Sequence, residues 1–101
     1  MLARIHTVEE IRTVVGKIAQ RYGVQRVVLF GSYARGNATV NSDIDLRIDK
    51  GRLRGLFQLA GFQLDLQDTL NVRVDVVTTE GLDKRFLQRI MGEEVVLYEQ
   101  S

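Results

Sequence analysis

Aspartates in one short segment of the sequence could bind a divalent metal ion. Asp43 and Asp45 stand two residues apart in the alternating segment DIDLRID. If this segment is a strand, both side chains leave the same face, roughly 6–7 Å apart along the chain. Two neighbouring anions repel each other unless a cation lies between them, and Mg²⁺ prefers carboxylate oxygens together with substrate phosphates. The pair therefore predicts metal-assisted chemistry at a phosphate.

A third carboxylate, Asp75, interrupts the apolar segment VRVDVV. An ionised carboxylate in a buried sheet is unfavourable unless it is paired or bound to metal. If this strand lies beside the strand of Asp43 and Asp45, Asp75 completes a carboxylate triad and could take the proton from an attacking hydroxyl. Two metal ions roughly 3.5–4 Å apart could then clamp the attacking and leaving oxygens. Considered singly, Asp75 could instead pair with Arg73 or Arg26.

A Gly-Ser turn follows the apolar segment RVVLF and could hold phosphate. Gly31 would let the backbone approach a ligand closely, and Ser32 would add a hydroxyl donor. If the next residues form a helical turn, free backbone N–H groups point at the same place and favour an anion. Arg35 could add a guanidinium to the same oxygens. Tyr33 could be exposed beside this turn and stack on a base; considered alone, Gly31-Ser32 is an ordinary turn.

The elements that must position these residues follow from periodicity. Apolar residues at helical spacing, period-two alternation and Gly or Asn stops mark the segments. We predict helices over Thr7–Tyr22, Leu56–Leu70 and Asp83–Met91, a helical turn around Tyr33–Arg35, and strands over Arg26–Phe30, Asp43–Asp49, Arg73–Thr78 and Val95–Tyr98. This alternation indicates a small α/β (α+β) domain, spanning residues 1–101, with its helices packed on a sheet.

The remaining aromatic and basic residues have plainer interpretations. Four aromatic side chains fall at helical positions and are expected in the core: Tyr22, Phe57, Phe62 and Phe86. A basic run is interpreted as a solvated connector, or as a surface that attracts a triphosphate or a partner's acidic face: Arg47, Lys50, Arg52 and Arg54. Asp49 shares a face with Asp45 and is expected to be a solvated strand end.

The composition excludes several kinds of chemistry. The chain has 101 residues, no cysteine and a net charge of +1. Disulfides, thiolate metal sites and cysteine nucleophiles are therefore excluded, and the chain suits the reducing cytoplasm. The low net charge argues against a dedicated duplex-DNA binder. No apolar stretch approaches the length of a transmembrane helix, so we expect no membrane association.

Together these motifs resemble a known enzyme superfamily. Gly31-Ser32, ten further residues, and then Asp43-x-Asp45 are similar to the signature of the DNA polymerase β-like nucleotidyltransferases. Asp75 on a later strand matches the third carboxylate of that pattern. The segments GSYARG and SDIDL resemble the small MNT branch in particular, and the similarity runs over essentially the whole chain. The resemblance implies a nucleotidyltransferase fold, with helices packed on a small mixed β-sheet.

The resemblance also implies an activity and a partner. Asp43, Asp45 and Asp75 would bind metal, two Mg²⁺ ions with Mn²⁺ as an alternative, and Asp75 would act as base. Gly31, Ser32 and, less directly, Arg35 would hold the phosphates of ATP. Short MNT proteins commonly act as antitoxins that transfer AMP to a tyrosine hydroxyl of a HEPN ribonuclease toxin, which would supply the wall that larger relatives carry themselves. Two alternatives stay open: inhibition of the partner by occlusion alone, and transfer to a small molecule or an RNA end.

Overall fold

The computed structural model describes residues 4–100 and contains the predicted elements. In chain order they are α1 (Val8–Tyr22), β1 (Arg26–Phe30), α2 (Ser32–Arg35), β2 (Ile44–Asp49), α3 (Gly55–Leu70), β3 (Val74–Thr78), α4 (Lys84–Ile90) and β4 (Val95–Glu99). Every predicted helix and strand is confirmed, and no bound differs from its prediction by more than one residue. A short 3₁₀ turn over Thr79–Gly81 was not predicted. None of the helices in the described part combines the length and apolar character needed to cross a bilayer.

The four strands form one mixed sheet in the order β3-β2-β1-β4. β1 is antiparallel to both β2 and β4, whereas β2 and β3 are parallel. Parallel neighbours need a long crossover connection, and α3 provides it. The expected small mixed sheet with helices packed on it is therefore confirmed.

The core lies between one face of the sheet and the helices α1 and α3. Ile44, Leu46 and Ile48 of β2 are fully buried against Phe62 and Leu66 of α3. Strand side chains alternate between faces, so the residues between them in β2 must point to the other side. The packing of the helices therefore decides which face of the sheet is left for chemistry.

Helix α1 begins and ends with strong local signals. The Thr7 hydroxyl accepts a hydrogen bond from the Glu10 amide at 3.0 Å, and the Glu10 carboxylate accepts one from the Thr7 amide at 3.0 Å. This capping box satisfies two backbone donors that a helix start leaves unpaired. Gly23 ends the helix in the left-handed conformation, with φ of 69°. These caps define where the helix starts and ends, and its buried residues Ile11, Val15 and Ile18 join the core cluster.

Arg47 corrects the expectation of a fully solvated basic run. Its side chain lies on the face opposite α1 and α3 and is only 7% exposed. Its guanidinium donates to both carboxylate oxygens of Glu94, at 2.6 and 2.9 Å, and to the Thr79 hydroxyl at 2.7 Å. A buried guanidinium needs such partners because desolvation is costly. Arg47 is thus an internal anchor for the 3₁₀ turn and the start of β4, whereas Arg52 and Arg54 are exposed.

Two aromatic residues lie where we did not expect them. Tyr33 is 5% exposed and belongs to the core cluster, so it does not project beside the Gly-Ser turn. Phe57 is 96% exposed and is not a core residue. The prediction of Phe57 as a core residue, made from helical spacing alone, is wrong. Phe62 and Leu66 define the face of α3 that meets the sheet, and Phe57 points away from that face.

Candidate active site

The three aspartates lie at one end of the strands β2 and β3. Asp45 and Asp75 are direct partners in the parallel register, on strands about 4.8 Å apart. Asp43 immediately precedes β2, and the Ile44 amide donates to the Arg73 carbonyl at 3.0 Å. The sheet therefore brings together carboxylates that are 30 positions apart in the sequence, on the face opposite α1 and α3.

Asp45 is the most strongly perturbed of these carboxyls. The pKa of Asp45 is raised from 3.8 to about 6, chiefly by burial and then by the negative charges of Asp75 and Asp43, while Arg35 opposes the shift. Desolvation and like charge both disfavour the ionised form. A cation placed among these oxygens would relieve both effects. Perturbed carboxyls of this kind are characteristic of functional sites.

Gly31 lies directly against Asp45. It has φ of 79° and ψ of −156°, a region that side chains rarely adopt, and its carbonyl accepts from the Arg35 amide at 3.0 Å. A Cβ on Gly31 would collide with the Asp45 carboxylate, whose Cγ would lie only 3.2 Å away. Glycine is therefore required here for two reasons, its backbone conformation and the close approach. The structure therefore brings the Gly-Ser turn into contact with the Asp45 carboxylate.

Two arginines bring positive charge to the site. The Arg73 Nε lies 3.3 Å from Asp75 Oδ1 and 3.7 Å from Asp43 Oδ2, so one guanidinium bridges two of the carboxylates. The pairing of Asp75 with Arg73 that we left open is therefore present. Arg35 pairs instead with Glu93, at 3.1 and 3.3 Å. Both guanidinium groups are substantially exposed and can change partners at low cost.

The donor set fits a hard divalent cation. Carboxylate oxygens on neighbouring strands are the ligands that Mg²⁺ prefers, and substrate phosphates complete its octahedron. Within residues 4–100, no three carboxylate or imidazole side chains already converge as a preformed metal cage. Asp43, Asp45 and Asp75 are the residues that fit a divalent cation here, with Arg73 between two of them.

An open cleft adjoins the site along β3. It has a volume of about 900 Å³ and is lined by Val77, Leu82, Asp83, Arg85, Phe86, Gln88 and Arg89. Val77 follows Asp75 by two residues and so shares its face. Phe86 packs edge-on against Phe30 at 5.8 Å, and the Arg89 guanidinium lies 5.5 Å from the Phe86 ring. The cleft therefore combines apolar and cationic surface next to the carboxylates.

Glu93 and Glu94 hold two arginines near the site, and the sequence analysis did not identify them. They lie in the turn before β4, and they hold Arg35 and Arg47 respectively. Nothing in their spacing distinguishes them from solvated glutamates, because the partners are about 50 positions away. Asp49, in contrast, lies at the far end of β2, opposite Arg26 of β1, as expected for a strand end.

The sequence matches a known family over most of its length. The family model described as polymerase beta, nucleotidyltransferase, matches residues 14–101. A curated relative, the protein adenylyltransferase MntA of Thermococcus cleftensis, is 30% identical over 93 residues, which are 88% of this chain and 94% of the relative. The matched region contains the Gly-Ser turn and all three aspartates.

Solved structures share the fold. One, described as a candidate minimal nucleotidyltransferase, is 35% identical, with a TM-score of 0.77 over 89% of this chain and 95% of that chain. Another, the tri-AMPylated HEPN toxin of Shewanella oneidensis in complex with MNT antitoxin, has a TM-score of 0.71 at 18% identity, covering 93% and 74% of the two chains. The family match agrees with the geometry of the aspartates. This chain therefore belongs to the polymerase beta nucleotidyltransferase family, in its minimal branch, and is a nucleotidyltransferase.

Proposed function

We propose that this protein transfers AMP from ATP to a tyrosine hydroxyl of a HEPN-type ribonuclease toxin and so acts as its antitoxin. The observation that carries the proposal is the register of Asp45 and Asp75, with Gly31 packed against the Asp45 carboxylate. The MntA relative, a protein adenylyltransferase, supports a protein acceptor, and the AMPylated HEPN toxin in the complex of the same fold supports a toxin as that protein. We place the reaction in the cytoplasm, whose reducing conditions suit a chain without cysteine.

The chemistry is an in-line displacement at the α-phosphorus of ATP. The acceptor hydroxyl oxygen forms a bond to that phosphorus, the bond to the bridging oxygen breaks, and pyrophosphate leaves. Asp75 accepts the proton of the hydroxyl. Its carboxylate lies beside Asp45 and is half-exposed, so an acceptor hydroxyl can reach it. Asp43, Asp45 and Asp75 would hold two Mg²⁺ ions, which would neutralise charge on the attacking and leaving oxygens.

The phosphates would be held by the Gly-Ser turn and Arg35. Gly31 lets the backbone turn tightly beside Asp45, and the amide and hydroxyl of Ser32, which begins α2, would contact the phosphate oxygens. Arg35 would exchange Glu93 for the phosphates, which offer more negative charge for the same guanidinium. This exchange costs little, because the Arg35 side chain is 48% exposed and its present ion pair is screened by water.

The acceptor would reach Asp75 over the cleft beside β3. Its exposed apolar and cationic lining suits a polypeptide surface better than a small polar substrate. A tyrosine on a partner helix could rest against Phe86 while its hydroxyl lies near Asp75. We rank transfer to a small molecule or an RNA end lower, because the cleft is open and gives such an acceptor little enclosure.

The test is transfer to the partner that co-purifies with this protein. Labelled ATP and Mg²⁺ are added to the complex, and the intact mass of the partner is measured before and after. We expect a mass increase equal to one or more adenylyl groups, which an Asp43→Ala, Asp45→Ala double variant does not produce. Asp49→Ala is the matched control, since Asp49 lies on the same strand but away from the site.

The outcomes separate the candidate activities. Undiminished transfer by the double variant would show that the aspartates are not the metal site. If the double variant binds the partner and still neutralises it, occlusion is sufficient and the transfer step is dispensable. Turnover on a small hydroxyl compound or an RNA end by the isolated protein would reverse our ranking of acceptors.

A further inference from the structure

Helix α3 carries an apolar outer face that nothing in the described chain covers. Its inner residues Phe62 and Leu66 are fully buried against the sheet. On the outside, Phe57 is 96% exposed, Leu56 is 81% exposed and Leu64 is 55% exposed. Large apolar side chains clustered on one helix face mark an interaction surface more often than isolated ones do. The function proposed above does not use this face, which lies on the opposite side of the sheet from the aspartates.

The exposed residues form a continuous ridge. Phe57 and Leu64 are seven residues apart, which places them on the same side of the helix two turns apart. Ala60 lies between them and is exposed, so the middle of the ridge is low and another helix can approach closely there. The ridge continues to Asp68, one turn beyond Leu64. Its apolar part is thus bounded by a carboxylate at one end.

The opposite end of the ridge carries the opposite charge. Arg54, which immediately precedes α3, is exposed, and Asp68 is exposed near the other end of the helix. Among residues 4–100, neither side chain takes part in a salt bridge. An antiparallel second copy of α3 would place each Arg54 beside the other copy's Asp68. A parallel copy would place like charges together and align the two helix dipoles unfavourably.

We propose that this face of α3 binds a second copy of the same chain, with the two helices antiparallel about a two-fold axis near Ala60. Phe57 of each copy packs against Leu64 of the other, and two Arg54–Asp68 ion pairs close the ends. The face is self-complementary, as an isologous two-fold interface must be. The two sets of aspartates then lie on the outer surfaces of the dimer, and both remain open to nucleotide and acceptor.

The test is the mass in solution over a concentration series at low salt, by analytical ultracentrifugation. The 11.5 kDa chain should give a concentration-dependent rise to twice that mass. Arg54→Asp or Asp68→Arg alone should weaken the dimer by roughly tenfold, because the symmetry turns two attractive pairs into two repulsive ones. The double variant Arg54→Asp, Asp68→Arg should recover the affinity of the unmodified chain, since both pairs are restored with exchanged signs.

A second variant tests the apolar contact. Phe57→Ser should leave the chain monomeric throughout the series, with an unchanged circular dichroism spectrum because Phe57 makes no core contact. Val40→Ser is the control, since Val40 is also exposed, at 52%, but lies in the loop before β2. A monomer at every concentration, or a dimer that ignores these substitutions, would overturn the proposal. If Phe57→Ser instead abolishes binding of a different protein by a monomeric chain, the face belongs to that partner.

Discussion

The Asp45 carboxylate should lower the free energy of unfolding of the metal-free protein at neutral pH. Its pKa is raised to about 6 from 3.8, so ionising it costs more in the folded chain than in the unfolded one. A carboxyl whose pKa is higher in the folded than in the unfolded chain contributes its full stability at a pH below its unfolded pKa. That stability is lost as the pH rises through the folded pKa. For Asp45, the loss begins near pH 3.8, is complete a little above pH 6 and persists at neutral pH.

The size of this effect follows from the shift. A difference of about two pKa units corresponds to about 3 kcal/mol, and because the Asp45 side chain is partly exposed, solvent screening reduces this to about 1 to 2 kcal/mol. Replacing Asp45 by Asn removes the charge with almost no change in shape. We therefore expect Asp45→Asn to be more stable than the unmodified protein by about 1 to 2 kcal/mol at pH 7.5 in EDTA, while losing nucleotidyl transfer.

Urea unfolding followed by circular dichroism measures this gain. We expect the midpoint for Asp45→Asn to rise by roughly 1 M with an unchanged slope, and the gain to fall to about half by pH 5. Saturating Mg²⁺ with nucleotide should reduce the difference in stability between Asp45→Asn and the unmodified protein, because these ligands stabilise the unmodified protein more. A ligand at ten times its dissociation constant contributes about 1.4 kcal/mol.

Asp49→Asn is the control for this measurement. It removes a carboxylate from the same strand and the same face, and it should change stability by less than about 0.5 kcal/mol. If Asp45→Asn unfolds at the same or lower urea concentration than the unmodified protein in EDTA, burial and the neighbouring carboxylates do not disfavour the Asp45 charge as we describe.

Three further substitutions test other parts of the site. Gly31→Ala should lose nucleotidyl transfer and about 2 kcal/mol of stability. Gly36→Ala has a similar φ but open space around it, so it should keep transfer. A radiolabel transfer assay compares the two variants. Glu94→Gln should cost about 3 kcal/mol in urea unfolding, since it removes the negative charge that pairs with the buried Arg47 guanidinium and replaces one of its two acceptor oxygens with a donor. An unchanged midpoint would contradict this. Arg35→Ala should raise KM for ATP with little effect on kcat, and a pure kcat loss in steady-state kinetics would exclude a binding role.

Local patterns predicted the elements and the shared face of two of the three aspartates. The alternation in DIDLRID placed Asp43 and Asp45 on one face, and the structure confirms that face because Ile44 and Leu46 are buried on the other. Asp75 required one further step, the pairing of its strand with β2. No local pattern indicates that pairing, since strand order depends on how α3 crosses the sheet.

Contacts between distant segments could not be predicted in the same way. Phe57 has the spacing of a core residue, but the orientation of α3 is fixed by its other side, so Phe57 became part of the surface. Arg47 has the composition of a solvated strand residue, but a glutamate 47 positions later encloses it. In both cases tertiary packing, which no local window contains, decided between core and solvent.

The parallel pairing of β2 with β3 has a consequence for the order in which this protein folds. During synthesis, α1, β1 and β2 emerge together, and they already carry the Gly-Ser turn, Asp43 and Asp45. Asp75 joins them only after α3 has formed and β3 has docked, and such non-local pairings are slow because loop closure precedes any gain from contact. We therefore expect the catalytic site to be among the last parts to assemble, so that nascent and partly folded chains are inactive.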